Sequence, residues 1–122
     1  MLRFKPFYEV KPWGGRRLES ELGRTDLPDE AVGESWELSE LPAFESQVAD
    51  GELAGKSLGE LWRSGALGGS AEGAFPFLLK WLDTSEQMSV QVHPDEEFCK
   101  NTRLGNPKTE AWYVFHAEHK SK

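Results

Sequence analysis

The chain has 122 residues, enough for one ordinary domain and too few for two, so a single domain over residues 1–122 is expected. Its 14 basic and 21 acidic side chains leave a formal charge of −7, which argues against a nucleic-acid partner and means that any anionic ligand needs a local cationic pocket. Hydrophobic residues at 38%, five tryptophans among them, argue against a disordered chain.

Residues 1–17 read as an extended entry with a turn at Lys11-Pro12-Trp13-Gly14-Gly15. Gly33 to Ser39 alternates: Trp36 and Leu38 share one face, and Ser35, Glu37 and Ser39 the other, which predicts a strand with one buried side. Pro42 breaks it, and Ser46-Gln47-Val48 is a candidate short return strand. Ser57 has the character of an N-cap, with Leu58, Leu61 and Trp62 at helical spacing and Gly65 closing the helix. Residues 64–74 form a Gly/Ala/Ser-rich loop. Phe75 to Leu82 is an apolar run with a single charge, Lys80. Asp95 to Leu104 reads as a short helix with Pro94 at its first turn, and Gly105-Asn106-Pro107 as a turn into a last strand. Short strands joined by Gly/Pro turns, with little helix, predict an all-β barrel or sandwich.

The most informative stretch is Met88 to Pro94. Met88, Val90 and Val92 alternate with Ser89, Gln91 and His93. On a strand this makes an apolar wall, expected to be buried against Leu79 or Trp81, backed by a row of hydroxyl, amide and imidazole. Glu110 follows on a second strand-like run, Lys108 to Val114. Gln91, His93 and Glu110 converging inside β-structure would be three ligands suited to a divalent metal such as zinc. The single cysteine, Cys99, excludes an internal disulfide and fits a reducing cytosol. The N-terminus shows no secretory h-region, and no apolar run approaches the roughly 20 residues of a membrane span. A cytoplasmic protein is expected.

The segments Lys11 to Gly15, Gly33 to Ser39, Phe75 to Lys80, Ser89 to Pro94 and Lys108 to Tyr113, in that order and spacing, resemble the N-terminal part of type I phosphomannose isomerase. That family consists of zinc enzymes of the cupin fold. The resemblance implies a cupin-like jelly roll (double-stranded β-helix) with minor helix, incomplete over this length. It implies interconversion of mannose 6-phosphate and fructose 6-phosphate, with one zinc ion per site. The family's metal-binding Gln, His and Glu fall on Gln91, His93 and Glu110. A later His ligand and a distant Arg of the family have no counterpart here. Pro107 stands where family members often have Gly. The resemblance also places Lys80 and Lys108 in the sugar-phosphate site, as substrate-binding groups and candidates for proton transfer.

Each of these residues has a plainer reading. Lys80 and Lys108 fit solvated lysines, although a lysine inside Phe77 to Leu82 must snorkel or face a polar cavity. Ser89 fits a phosphate ligand or a backbone-satisfying hydroxyl equally. Trp13, Trp36 and Trp112 are expected in the core, and Glu34 and Glu37 in structural roles. His116 lies six residues beyond Glu110. On a continuous strand that is roughly 20 Å at about 3.3 Å per residue, so neither His116 nor His119 is expected to complete the ligand set.

Two functions compete. One is a zinc-dependent aldose–ketose isomerase. The other is a truncated, non-catalytic cupin acting as a metal- or sugar-binding or assembly module. Eight strands are not countable, so a second chain completing the barrel, or a homo-oligomer, is an expected partner. A zinc hydrolase has no support, since no H-E-x-x-H occurs.

Overall fold

The computed structural model describes residues 1–68 and 72–119. The chain divides into two compact units, Met1–Met88 and Ser89–Lys122. No helix among the described residues is long and apolar enough to cross a membrane.

The first unit is organised by a three-stranded antiparallel sheet in the order β1 (Phe7–Gly15), β2 (Val32–Leu38), β3 (Leu79–Leu82). The turn expected at Lys11 to Gly15 lies inside β1 instead. Val10 and Gly15 both pair with Val32, so the residues between them bulge out of the ladder and bend the strand. Glycine permits this close crossing: a Cβ on Gly33 would lie 2.6 Å from Lys11 Cβ and 2.8 Å from Trp13 Cζ3.

β2 forms where alternation predicted it, but both of its sides are shielded. Ser35 is buried like Trp36, and its hydroxyl donates to Glu37 Oε1 at 2.6 Å and so needs no water. Only Leu79–Leu82 of the apolar run from Phe75 joins the ladder. Pro76 has no N–H to contribute, and Phe77 remains exposed. The return strand at Ser46 to Val48 reduces to the isolated bridges Phe4–Val48 and Gln47–Ser57.

Two short helices close the unit, α1 (Arg17–Ser20) and α2 (Leu58–Arg63). α2 starts as the sequence predicts. The Ser57 hydroxyl accepts from Glu60 N, and the Glu60 carboxylate accepts from Ser57 N, a reciprocal capping box. Gly65, at φ 72°, ends it. Leu18, Val32, Val48, Leu58 and Leu61 form the buried core, with Trp36 at its margin. Trp36 stacks on Phe44 with 4.4 Å between ring centroids. Buried Asp83 ties the end of β3 to α1, accepting from Arg17 N at 2.6 Å. Of the Gly/Ala/Ser-rich loop at 64–74, residues 69–71 lie outside the described residues.

The second unit contains α3 (Glu96–Thr102). Its N-cap is Asp95, whose carboxylate accepts from Phe98 N at 2.7 Å. Pro94 therefore precedes the cap rather than opening the first turn, and the helix stops at Thr102, short of Leu104. Met88 to Pro94 and Lys108 to Val114 carry no strand ladder among the described residues. Val90 and Val92 are 91% and 89% exposed, which overturns their expected burial. Alternation specifies which side chains share a face, but a ladder and a buried wall also need a partner strand and a cover. Trp112, expected in the core, is exposed as well.

Candidate metal centre

Two of the three expected metal ligands meet within the second unit. Between them α3 ends at Arg103, in the left-handed region at φ 57°, and Gly105 follows at φ 69°. The chain then returns, and His93 Nε2 lies 3.0 Å from Glu110 Oε2 although the residues are 17 apart in sequence. The Lys108 ammonium pairs with the same Glu110 oxygen, and the Trp112 indole N–H donates to Oε1. An open cavity of about 440 Å³ lies between His93–Glu96 and Pro107–Thr109.

This environment fixes the charge of Glu110. The hydrogen bond from Lys108 is the largest of the effects that together lower its pKa to about 2; burial opposes it, and the bonds to Trp112 and His93 add to it. The carboxylate is therefore an anion at any working pH. An imidazole nitrogen and a carboxylate oxygen are ordinary zinc donors. His93 and Glu110 thus have the donor chemistry that zinc takes, and here they meet through a hydrogen bond of 3.0 Å.

The third expected ligand, Gln91, lies two residues before His93. Gln91 is exposed, and its side chain makes no hydrogen bond among the described residues. No group of three or more His, Cys, Asp or Glu side chains forms a metal cluster among the described residues. Ser89 is likewise exposed. Lys80 belongs to the first unit, where its ammonium lies 3.3 Å from Glu34 Oε1 and 4.9 Å from the centroid of the Trp36 ring. Sequence reasoning missed two participants, Trp112 as a donor to Glu110 and Glu34 as the partner of Lys80. The available signal was the spacing Glu-x-Trp, which occurs at Glu34-Ser35-Trp36 and at Glu110-Ala111-Trp112 and puts carboxylate and indole on one side of an extended chain.

Comparison with known proteins agrees with the resemblance read from the motifs. The family described as phosphomannose isomerase type I, catalytic domain, matches residues 1–122. The chain is 41% identical over 110 residues to the mannose-6-phosphate isomerase of Streptococcus mutans, covering 88% of this chain and 34% of that protein. It is 40% identical over 118 residues to mannose-6-phosphate isomerase ManA of Bacillus subtilis, covering 93% of this chain and 36% of that protein. A crystal structure of the mannose 6-phosphate isomerase from Bacillus subtilis superimposes with a TM-score of 0.71 at 38% identity, over 84% of this chain and 33% of that one. The chain thus spans about a third of the length of these relatives. The expected fold class holds: β-structure with minor helix, carrying part of a cupin-type sheet. Motifs, fold and whole-chain similarity converge, and the chain belongs to the type I phosphomannose isomerase family.

Proposed function

We propose that the protein bearing this chain interconverts mannose 6-phosphate and fructose 6-phosphate, with a zinc ion held by Gln91, His93 and Glu110. The observation that carries this reading is the 3.0 Å approach of His93 Nε2 to a Glu110 oxygen that also holds the Lys108 ammonium. The names of the relatives supply mannose 6-phosphate, and the family resemblance read from the motifs supplies fructose 6-phosphate. When bound, zinc supplies Lewis-acid polarisation of the sugar carbonyl.

The chain's own groups do the rest. Glu110 stays ionised and binds as an anion, and His93 contributes its imidazole. In this reading Lys108, whose ammonium pairs with Glu110, gives or takes a proton as hydrogen moves between C1 and C2 of the sugar. Lys80 and Ser89 bind the phosphate, one by charge and the other by its hydroxyl. The two lysines provide local positive charge that a chain of formal charge −7 otherwise lacks. The single cysteine fits a cytosolic setting.

A second reading concerns the chain by itself. The open apolar residues Val90 and Val92, and a sheet of three strands, favour a part that needs further chain or a second copy to complete the barrel. The test is to assay the full-length protein for mannose 6-phosphate conversion and to measure its bound metal. His93→Ala is expected to abolish zinc retention and activity together. Full activity in the His93→Ala protein would refute the metal reading.

A further inference from the structure

Lys80 is held from two sides. In the β2–β3 register it stands directly opposite Trp36, with its ammonium 4.9 Å from that ring's centroid. Its charge pairs with Glu34 Oε1 at 3.3 Å. The other carboxylate oxygen of Glu34 accepts the Trp36 indole N–H at 2.9 Å. Each oxygen of Glu34 is thus committed to a different donor, which fixes the plane of the carboxylate. The pair is largely shielded, with the Lys80 and Glu34 side chains 20% and 13% exposed. On the other flank of β2, Glu34 faces Glu9, whose own charge is paired with Lys11 at 2.5 Å.

The second unit uses the same arrangement. There Glu110 accepts from the indole two residues on, Trp112, and pairs with a lysine, Lys108. In both places a Glu-x-Trp carboxylate bridges an indole N–H and an ammonium.

We propose that Glu34 is a positioning residue for Lys80, holding its ammonium in one orientation over Trp36 so that an incoming phosphate meets a fixed cation. The proposal rests on the reading of Lys80 as a phosphate-binding lysine. A lysine left free on its stem spreads over many rotamers, and ordering it at the moment of binding weakens binding. A carboxylate locked by an indole removes that loss in advance. Trp36 acts one step further back, by keeping Glu34 in place.

The test is a double-mutant cycle in the full-length protein, with kcat and KM for mannose 6-phosphate measured for Glu34→Ala, Lys80→Ala and the double variant. Lys80→Ala should raise KM. Glu34→Ala should raise KM by about tenfold with kcat nearly unchanged, and the double variant should be no worse than Lys80→Ala alone. Glu34→Gln, which can keep the indole bond without the charge, should fall between wild type and Glu34→Ala. Independently of activity, a slowly exchanging Lys80 ammonium signal in NMR spectra should be present in the wild type and lost in Glu34→Ala. Penalties that multiply in the double variant, or a Glu34→Ala effect confined to the thermal midpoint, would make Glu34 merely structural and overturn the proposal. An unchanged KM in Lys80→Ala would overturn the phosphate reading of Lys80, and the proposal with it.

Discussion

Glu110 receives three donors at once: Lys108, Trp112 and His93. Its pKa of about 2 lies below the roughly 4.3 of a free glutamate. A depressed carboxylate stabilises the folded form above its unfolded pKa, and the contribution is lost as pH falls from about 4.3 towards 2. A carboxyl-carbon NMR titration should give a midpoint near 2, and Lys108→Ala should raise it more than Trp112→Phe, since the Lys108 bond is the largest cause. Equal shifts from the two variants would contradict that ranking. At this scale His93 and Glu110 were legible as a pair through the family's motifs, since alternation relates only residues of one run and says nothing of two residues 17 apart. Trp112 was not. An indole is read as core payload from composition, whereas here it is exposed and acts through its N–H.

Among the elements, α2 was the clearest in sequence. Ser57 at the cap, with Leu58, Leu61 and Trp62 at helical spacing behind it, predicts its start and its buried face, and the structure adds Glu60 as the reciprocal partner of the cap. Ser57→Ala should lower unfolding stability by about 1 kcal/mol, measurable by urea denaturation at constant m-value. A change of a few tenths would mean that the cap is replaced by water. β1 was less legible. Its Pro-Trp-Gly-Gly run carries turn chemistry, yet the tight crossing with Gly33 converts it into a bulge within a strand. Whether a glycine serves a turn or a close approach depends on what lies across from it, and that is tertiary information. The short α3 shows the same limit at its start, where Asp95 rather than Pro94 defines the cap.

For the whole chain, family and fold were legible because five motifs in fixed order survive without any single one being decisive. The burial of Val90 and Val92 was not, since it depends on a covering surface that local alternation does not provide. The purified 122-residue chain, loaded with zinc, is expected to bind the metal weakly and to show little isomerisation. A catalytic site needs its groups held within about 0.5 Å, and no strand ladder fixes Gln91 and His93 among the described residues. Activity within about tenfold of a full-length relative, lost on His93→Ala, would show that these residues suffice.

The distribution of backbone pairing has a consequence for amide hydrogen exchange. Ladder bonds cover β1, β2 and β3, whereas among the described residues no backbone–backbone bond has its donor in Ser89–Pro94 or Gly105–Val114. Amides exchange with solvent deuterons when they are not bonded or when their bonds open, so protection should divide along the chain. Peptides covering Val32–Leu38 should retain hydrogen longest, and those covering α3 should retain it for an intermediate time. Peptides covering Ser89–Pro94, which contain Gln91 and His93, should deuterate within the first time points. Slow exchange there would mean that these amides find partners after all. Protection appearing on addition of zinc would identify the metal as the agent that orders them.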